Sequence, residues 1–93
     1  MAHTVIEDVE DRVGDRVIRR KIIQTDDPRF PSGYRYAFHY GYIDDRGTIL
    51  RYDNENRTPG RHERHTSTGV TEIGFPGIVE LRSRFLEEID DLP

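Results

Sequence analysis

Hydrophobic and polar positions alternate most clearly in "YRYAFHYGYI", where Tyr34, Tyr36, Phe38, Tyr40 and Tyr42 fall on even positions and Arg35, Ala37, His39 and Gly41 on odd ones. Successive side chains of a strand point to opposite faces, so this spacing predicts a strand with all its aromatics on one side. "TVIEDVEDRV" (4–13) and "DRVIRRKII" (15–23) are rich in Val and Ile around Gly14-Asp15 and predict a first hairpin. "QTDDPRFPSG" (24–33) reads as a loop. "DDRG" (44–47) turns the chain into a second strand, "TILRYDN" (48–54). A three-residue loop, Asp45-Arg46-Gly47, places Gly47 in the left-handed conformation and sets Tyr42 opposite Leu50, Tyr40 opposite Tyr52, Gly41 opposite Arg51 and His39 opposite Asp53.

Further along, "VTEIGF" (70–75) predicts a short last strand. In "PGIVELRSRFLEEIDDL" (76–92), Ile78, Leu81, Phe85, Leu86, Ile89 and Leu92 recur at helical spacing, with Pro76 suited to a first turn. The expected architecture is α+β: a small antiparallel β-meander of four to five strands, covered on its aromatic face by a C-terminal α-helix. Ninety-three residues fit one domain, 1–93. The opposite face of the sheet then carries Arg35, His39, Arg51 and Asp53 together, since cross-strand neighbours lie about 5 Å apart.

Composition narrows the chemistry. The chain has no cysteine, so thiol catalysis, disulfides and thiolate metal sites are excluded. "MAHTVIEDVEDRV" has no basic segment followed by an apolar run, and no stretch has the length of a membrane span, so a cytoplasmic location and no membrane partner are expected. The net charge is −4, and of 14 basic residues only Lys21 is lysine. An acidic, arginine-rich balance fits a GC-rich genome or a salt-rich cytoplasm, and argues against a general nucleic-acid coat while leaving room for a local basic site.

Such a site is suggested by "RYDNENRTPGRHERH" (51–65), which holds four arginines, three carboxylates and two histidines. Residues 55–69 read as a loop. No phosphate loop, dinucleotide fingerprint or zinc-protease helix is present. Metal-independent cleavage of RNA needs a base for the 2′-OH, an acid for the leaving oxygen and cations for the phosphate. Histidine suits the first two roles and arginine the third. On this reading His62 and His65 are the acid/base candidates and Asp53 positions one of them, as Glu63 also could. Arg51, Arg61, Arg64, Asn54 and Arg35 engage substrate, and neither metal nor cofactor is required. His62-x-x-His65 with Glu63 and Asp53 is a weaker metal-ligand pattern. The other readings are a protein-binding surface, since Arg and Tyr are the types that carry interface energy, and a solvated loop.

"YRYAFHYGYI…ILRYDN", a histidine-containing segment after it and a short C-terminal helix resemble the TumE-like family, grouped as toxins of toxin–antitoxin modules. The resemblance spans residues 4–92 and is densest at Arg51-Tyr52-Asp53-Asn54. The family's following motif is His-x-His and then glycines. Here "RHERHTSTG" sets the histidines three apart, with only Gly69 after them. The resemblance implies a toxin with a helix-turn-helix antitoxin as partner. It leaves open whether the chain is a ribonuclease-like enzyme acting on RNA or a non-catalytic module that pairs with the antitoxin or, as a homodimer, with itself.

Overall fold

The aromatic strand is the centre of the molecule. In the computed structural model, which describes residues 2–93, it runs Tyr34–Tyr42 (β3) inside a single antiparallel sheet whose strand order is the chain order. β1 (His3–Val13) and β2 (Arg16–Thr25) precede it. β4 (Thr48–Asp53), β5 (His62–Thr66) and β6 (Gly69–Ile73) follow, and α1 (Ile78–Ile89) closes the chain. The sheet has six strands, two hairpin arms built outward from β3 and β4.

The first hairpin forms as the sequence predicts. Val13 pairs with Arg16 across a two-residue turn, and Gly14 takes φ 61°. Glycine at the first central position suits the turns whose twist matches paired strands. The second hairpin departs from the prediction by two residues. Tyr40 pairs with Leu50, Phe38 with Tyr52, His39 with Arg51 and Ala37 with Asp53. Gly47 is left-handed as expected (φ 82°), but the loop is longer, because the Tyr42 N–H donates to the Gly47 carbonyl and the register breaks at Tyr40/Gly41. A two-residue shift keeps every side chain on its face, so the division into aromatic and polar faces survives the change of partners.

α1 lies on the aromatic face. Leu81 and Phe85 are fully buried against Phe38 and Tyr52, with ring centroids of Phe85 at 5.5 and 5.2 Å from theirs. Pro76 precedes the helix, which starts after Gly77 without a side-chain cap. Tyr36, Phe38, Leu50 and Tyr52 complete the buried centre, with Ile22 and Tyr40 at its rim. The far end of the β1–β2 hairpin extends past this cover and leaves Val13 66% exposed.

β5 is the element the hydrophobic pattern did not predict: residues 62–66 are a strand, not loop. "HERHT" has no apolar residue, so its alternation is invisible to that reading. It pairs with β4 through Leu50–Thr66, Arg51–His65, Tyr52–Arg64 and Asp53–Glu63, and with β6 through His62–Ile73. Polar partners hold both its sides. Arg64 Nε lies 3.1 and 3.2 Å from the Glu88 carboxylate of α1. Glu63 and His65 face the other way.

Candidate functional site

The ladder arranges the open face in rows across the strands. One row runs Arg19–His39–Arg51–His65 over β2, β3, β4 and β5, each residue the direct cross-strand partner of the next. The adjacent row runs Lys21–Ala37–Asp53–Glu63. Small Ala37 leaves a shallow cavity of about 120 Å³ bordered by Arg19, Lys21, His39, Arg51 and Glu55. Gly41 keeps the end of β3 narrow. A Cβ there would come within 2.6 Å of the Gly47 carbonyl oxygen and 3.1 Å of His39 Nε2.

Asp53 anchors the arrangement. It is 4% exposed, and Arg51 Nε donates to its Oδ2 at 2.6 Å. A buried carboxylate needs such a partner, because desolvation otherwise makes its charge costly. Arg51 Nη2 also approaches Glu55 at 3.5 Å, and Glu55 accepts from Arg35 Nε at 2.6 Å. His65 Nε2 sits 3.2 Å from Asp53 Oδ2 and 3.7 Å from Glu63 Oε1, without the alignment of a hydrogen bond. Glu63 is held by Arg61 Nε at 2.8 Å. His39 is half-buried, and burial, then the charges of Arg51 and Arg19, push its pKa down, so the neutral imidazole is favoured there.

Five of the residues expected to act together share this face: Arg35, Arg51, Asp53, Arg61 and His65. Three do not. His62 and His65 are three apart on a strand, so they project from opposite sides of the sheet. His62 is 7% exposed, stacked on Phe75 at 4.6 Å between centroids, with Nδ1 2.9 Å from the Tyr36 hydroxyl. Burial lowers its pKa, and burial raises that of Tyr36. It is a packed core histidine, not a partner of Asp53. Arg64 faces α1, where it holds Glu88, whose carboxyl it lowers, and Tyr52 donates to the same carboxylate. Asn54 is turned onto β3. Its Oδ1 accepts from the Tyr36 N–H at 3.0 Å and its Nδ2 donates to the Tyr34 carbonyl at 2.7 Å. Both ends of the amide are occupied, so Asn54 extends the β3–β4 pairing instead of facing a ligand.

His39 stood on this face in the sequence reading but not among its acid/base candidates, and Arg19 and Lys21 are open-face residues that it passed over. Their signal was present: once Ile18 and Ile22 are placed on the aromatic face, the odd positions of β2 must join the face of His39.

The fold is that of a small α+β protein, one open antiparallel sheet with a single C-terminal helix on one face and charged side chains on the other. The chain belongs to the TumE toxin family: the family described as "Toxin TumE" matches residues 2–93. It is thus a toxin of a toxin–antitoxin module, a class for which an antitoxin partner is general. No curated protein and no solved structure matches it. Among the described residues no helix is long and apolar enough to cross a membrane.

Proposed function

We propose that this toxin acts on RNA in the cytoplasm by metal-independent phosphodiester cleavage on the open face of the sheet. The observation that carries the reading is the row His39–Arg51–His65, two histidines on either side of one guanidinium. Arg51, with Arg19 and Lys21 beside it, supplies the forked and point charges that suit phosphate oxygens. His39, favoured as the neutral imidazole, takes the 2′-OH proton. The 2′-oxygen attacks the adjacent phosphorus, the bond to the 5′-oxygen breaks, and His65 donates the proton to that leaving oxygen. With Nε2 turned to Asp53, Nδ1 is the nitrogen left for this transfer. The products are a 2′,3′-cyclic phosphate and a 5′-OH. Purified protein incubated with RNA in EDTA tests this. Cleavage leaving those two ends, lost in His39→Asn, is the expected result. Intact RNA at high protein concentration contradicts it.

A second reading is favoured by the edges of the sheet. β1 and β6 each present one unpaired side, and β1 exposes Val5, Ile6 and Val13. A bare edge is a template for an added strand. On this reading the chain is a non-catalytic module that pairs with a helix-turn-helix antitoxin or with a second copy. Growth arrest that survives every open-face substitution, together with capture of the antitoxin lost on β1 substitution, distinguishes it from the first.

A further inference from the structure

We propose that Asp53, Glu63 and His65 form a binding site for one divalent transition-metal ion, with Zn2+ the best fit. The three residues come from adjacent strands, and a ligand atom from each lies within 4.8 Å of the others. His65 Nε2 stands 3.2 Å from Asp53 Oδ2 and 3.7 Å from Glu63 Oε1. Zinc binds nitrogen and oxygen at about 2.0–2.1 Å, so two ligands at tetrahedral positions are about 3.4 Å apart. The observed separations bracket that edge.

A second observation points the same way. His65 Nε2 is out of contact with solvent and has no aligned hydrogen-bond partner, although it faces two carboxylate oxygens. A cation between them would give that nitrogen a partner that no aligned hydrogen bond supplies. Arg61 holds Glu63 from outside this triangle through Oε2, which leaves Oε1 towards His65, whereas Arg51 Nε donates to Asp53 Oδ2, the oxygen that faces His65, so a metal there would share that oxygen with the guanidinium. Carboxylate ligands are commonly oriented by outer contacts like that of Arg61. One imidazole and two carboxylates leave a fourth position open. His62, the other half of the sequence spacing, lies across the sheet and takes no part.

The site stands independently of RNA cleavage, but the two share His65. An imidazole with a metal on Nε2 cannot also become the imidazolium that donates a proton, so bound Zn2+ inhibits the reaction proposed above. The test is calorimetric titration of Zn2+ into the metal-stripped full chain, with His65→Ala, Glu63→Gln and His62→Gln as variants and circular dichroism as the folding control. The expected result is one ion per chain, binding weakened at least about tenfold by either of the first two substitutions and unchanged by the third. Absence of saturable binding by the folded wild type overturns the proposal, and so does binding that survives Glu63→Gln and His65→Ala. Zinc binding without RNA cleavage at any zinc level leaves this site standing and removes the cleavage reading. Cleavage indifferent to zinc, with no binding, does the reverse.

Discussion

The two faces of one sheet solve opposite problems with the same strands. On the face under α1, Tyr36, Phe38, Leu50 and Tyr52 are out of water, and the polar groups admitted there are matched locally, His62 to Tyr36 and Arg64 to Glu88. On the open face the side chains are charged, and order comes from pairs such as Arg51–Asp53, Arg35–Glu55 and Arg61–Glu63. Burial of apolar area stabilises one side, while on the other the more exposed pairs contribute little and Arg51 is needed chiefly to compensate the buried Asp53. His62 and His65 show the division most sharply. They are three residues apart in one strand, yet one is a stacked core residue and the other borders the cationic row.

Substitutions that separate the faces sharpen this contrast. The largest expected effect is on rate: His39→Asn should slow RNA cleavage about 100- to 10,000-fold, measured by single-turnover kinetics, with an unchanged thermal midpoint. Next, Phe85→Ala should destabilise the fold by about 3–5 kcal/mol in urea unfolding, because it opens a cavity against Phe38 and Tyr52. Arg51→Ala mixes the two effects, since it leaves buried Asp53 without its partner. Arg51→Lys, which keeps the charge and loses the fork, is the cleaner probe and should weaken RNA binding in a salt-dependent filter assay. Smaller still, His62→Ala should cost about 1–3 kcal/mol of stability by leaving the Tyr36 hydroxyl unpaired, with cleavage per folded molecule unaltered.

The smallest effect is the pH dependence. His39 and His62 have folded pKa values below the ordinary 6.5, so the unfolded chain binds protons more readily. Their contribution is present above pH 6.5 and lost as pH falls through the lower folded values. Glu7, lowered by Arg82, and Glu88, lowered by Arg64, add a second loss below their ordinary 4.5. Midpoints measured from pH 8 to 3 should fall in those two stages, and His62→Gln should flatten the first.

Much of this was legible in the sequence, and the failures share a cause. The alternation of β3 and the helical spacing of α1 disclosed the core, because both depend on apolar residues. The face of Arg35, His39, Arg51 and Asp53 followed from parity alone, which is why it survived a wrong register. β5 escaped because its residues are polar on both sides, and its strand is held by ladder bonds and ions that only the assembled sheet supplies. The same gap put His62 and Arg64 in a loop beside His65, when strand geometry sends them under the helix. Asn54 looked available to a ligand because its two hydrogen bonds, to the Tyr34 and Tyr36 backbone, span 18 to 20 residues of sequence.

The central claim is that the open face, and not the helix face, carries the toxin's activity. Growth after induced expression of His39→Asn/His65→Asn, set against wild type and His62→Ala at matched soluble protein levels, tests it most directly. The account predicts arrest by wild type and by His62→Ala, and growth with the open-face pair. Arrest by the open-face pair, or relief by His62→Ala at full soluble level, would contradict it.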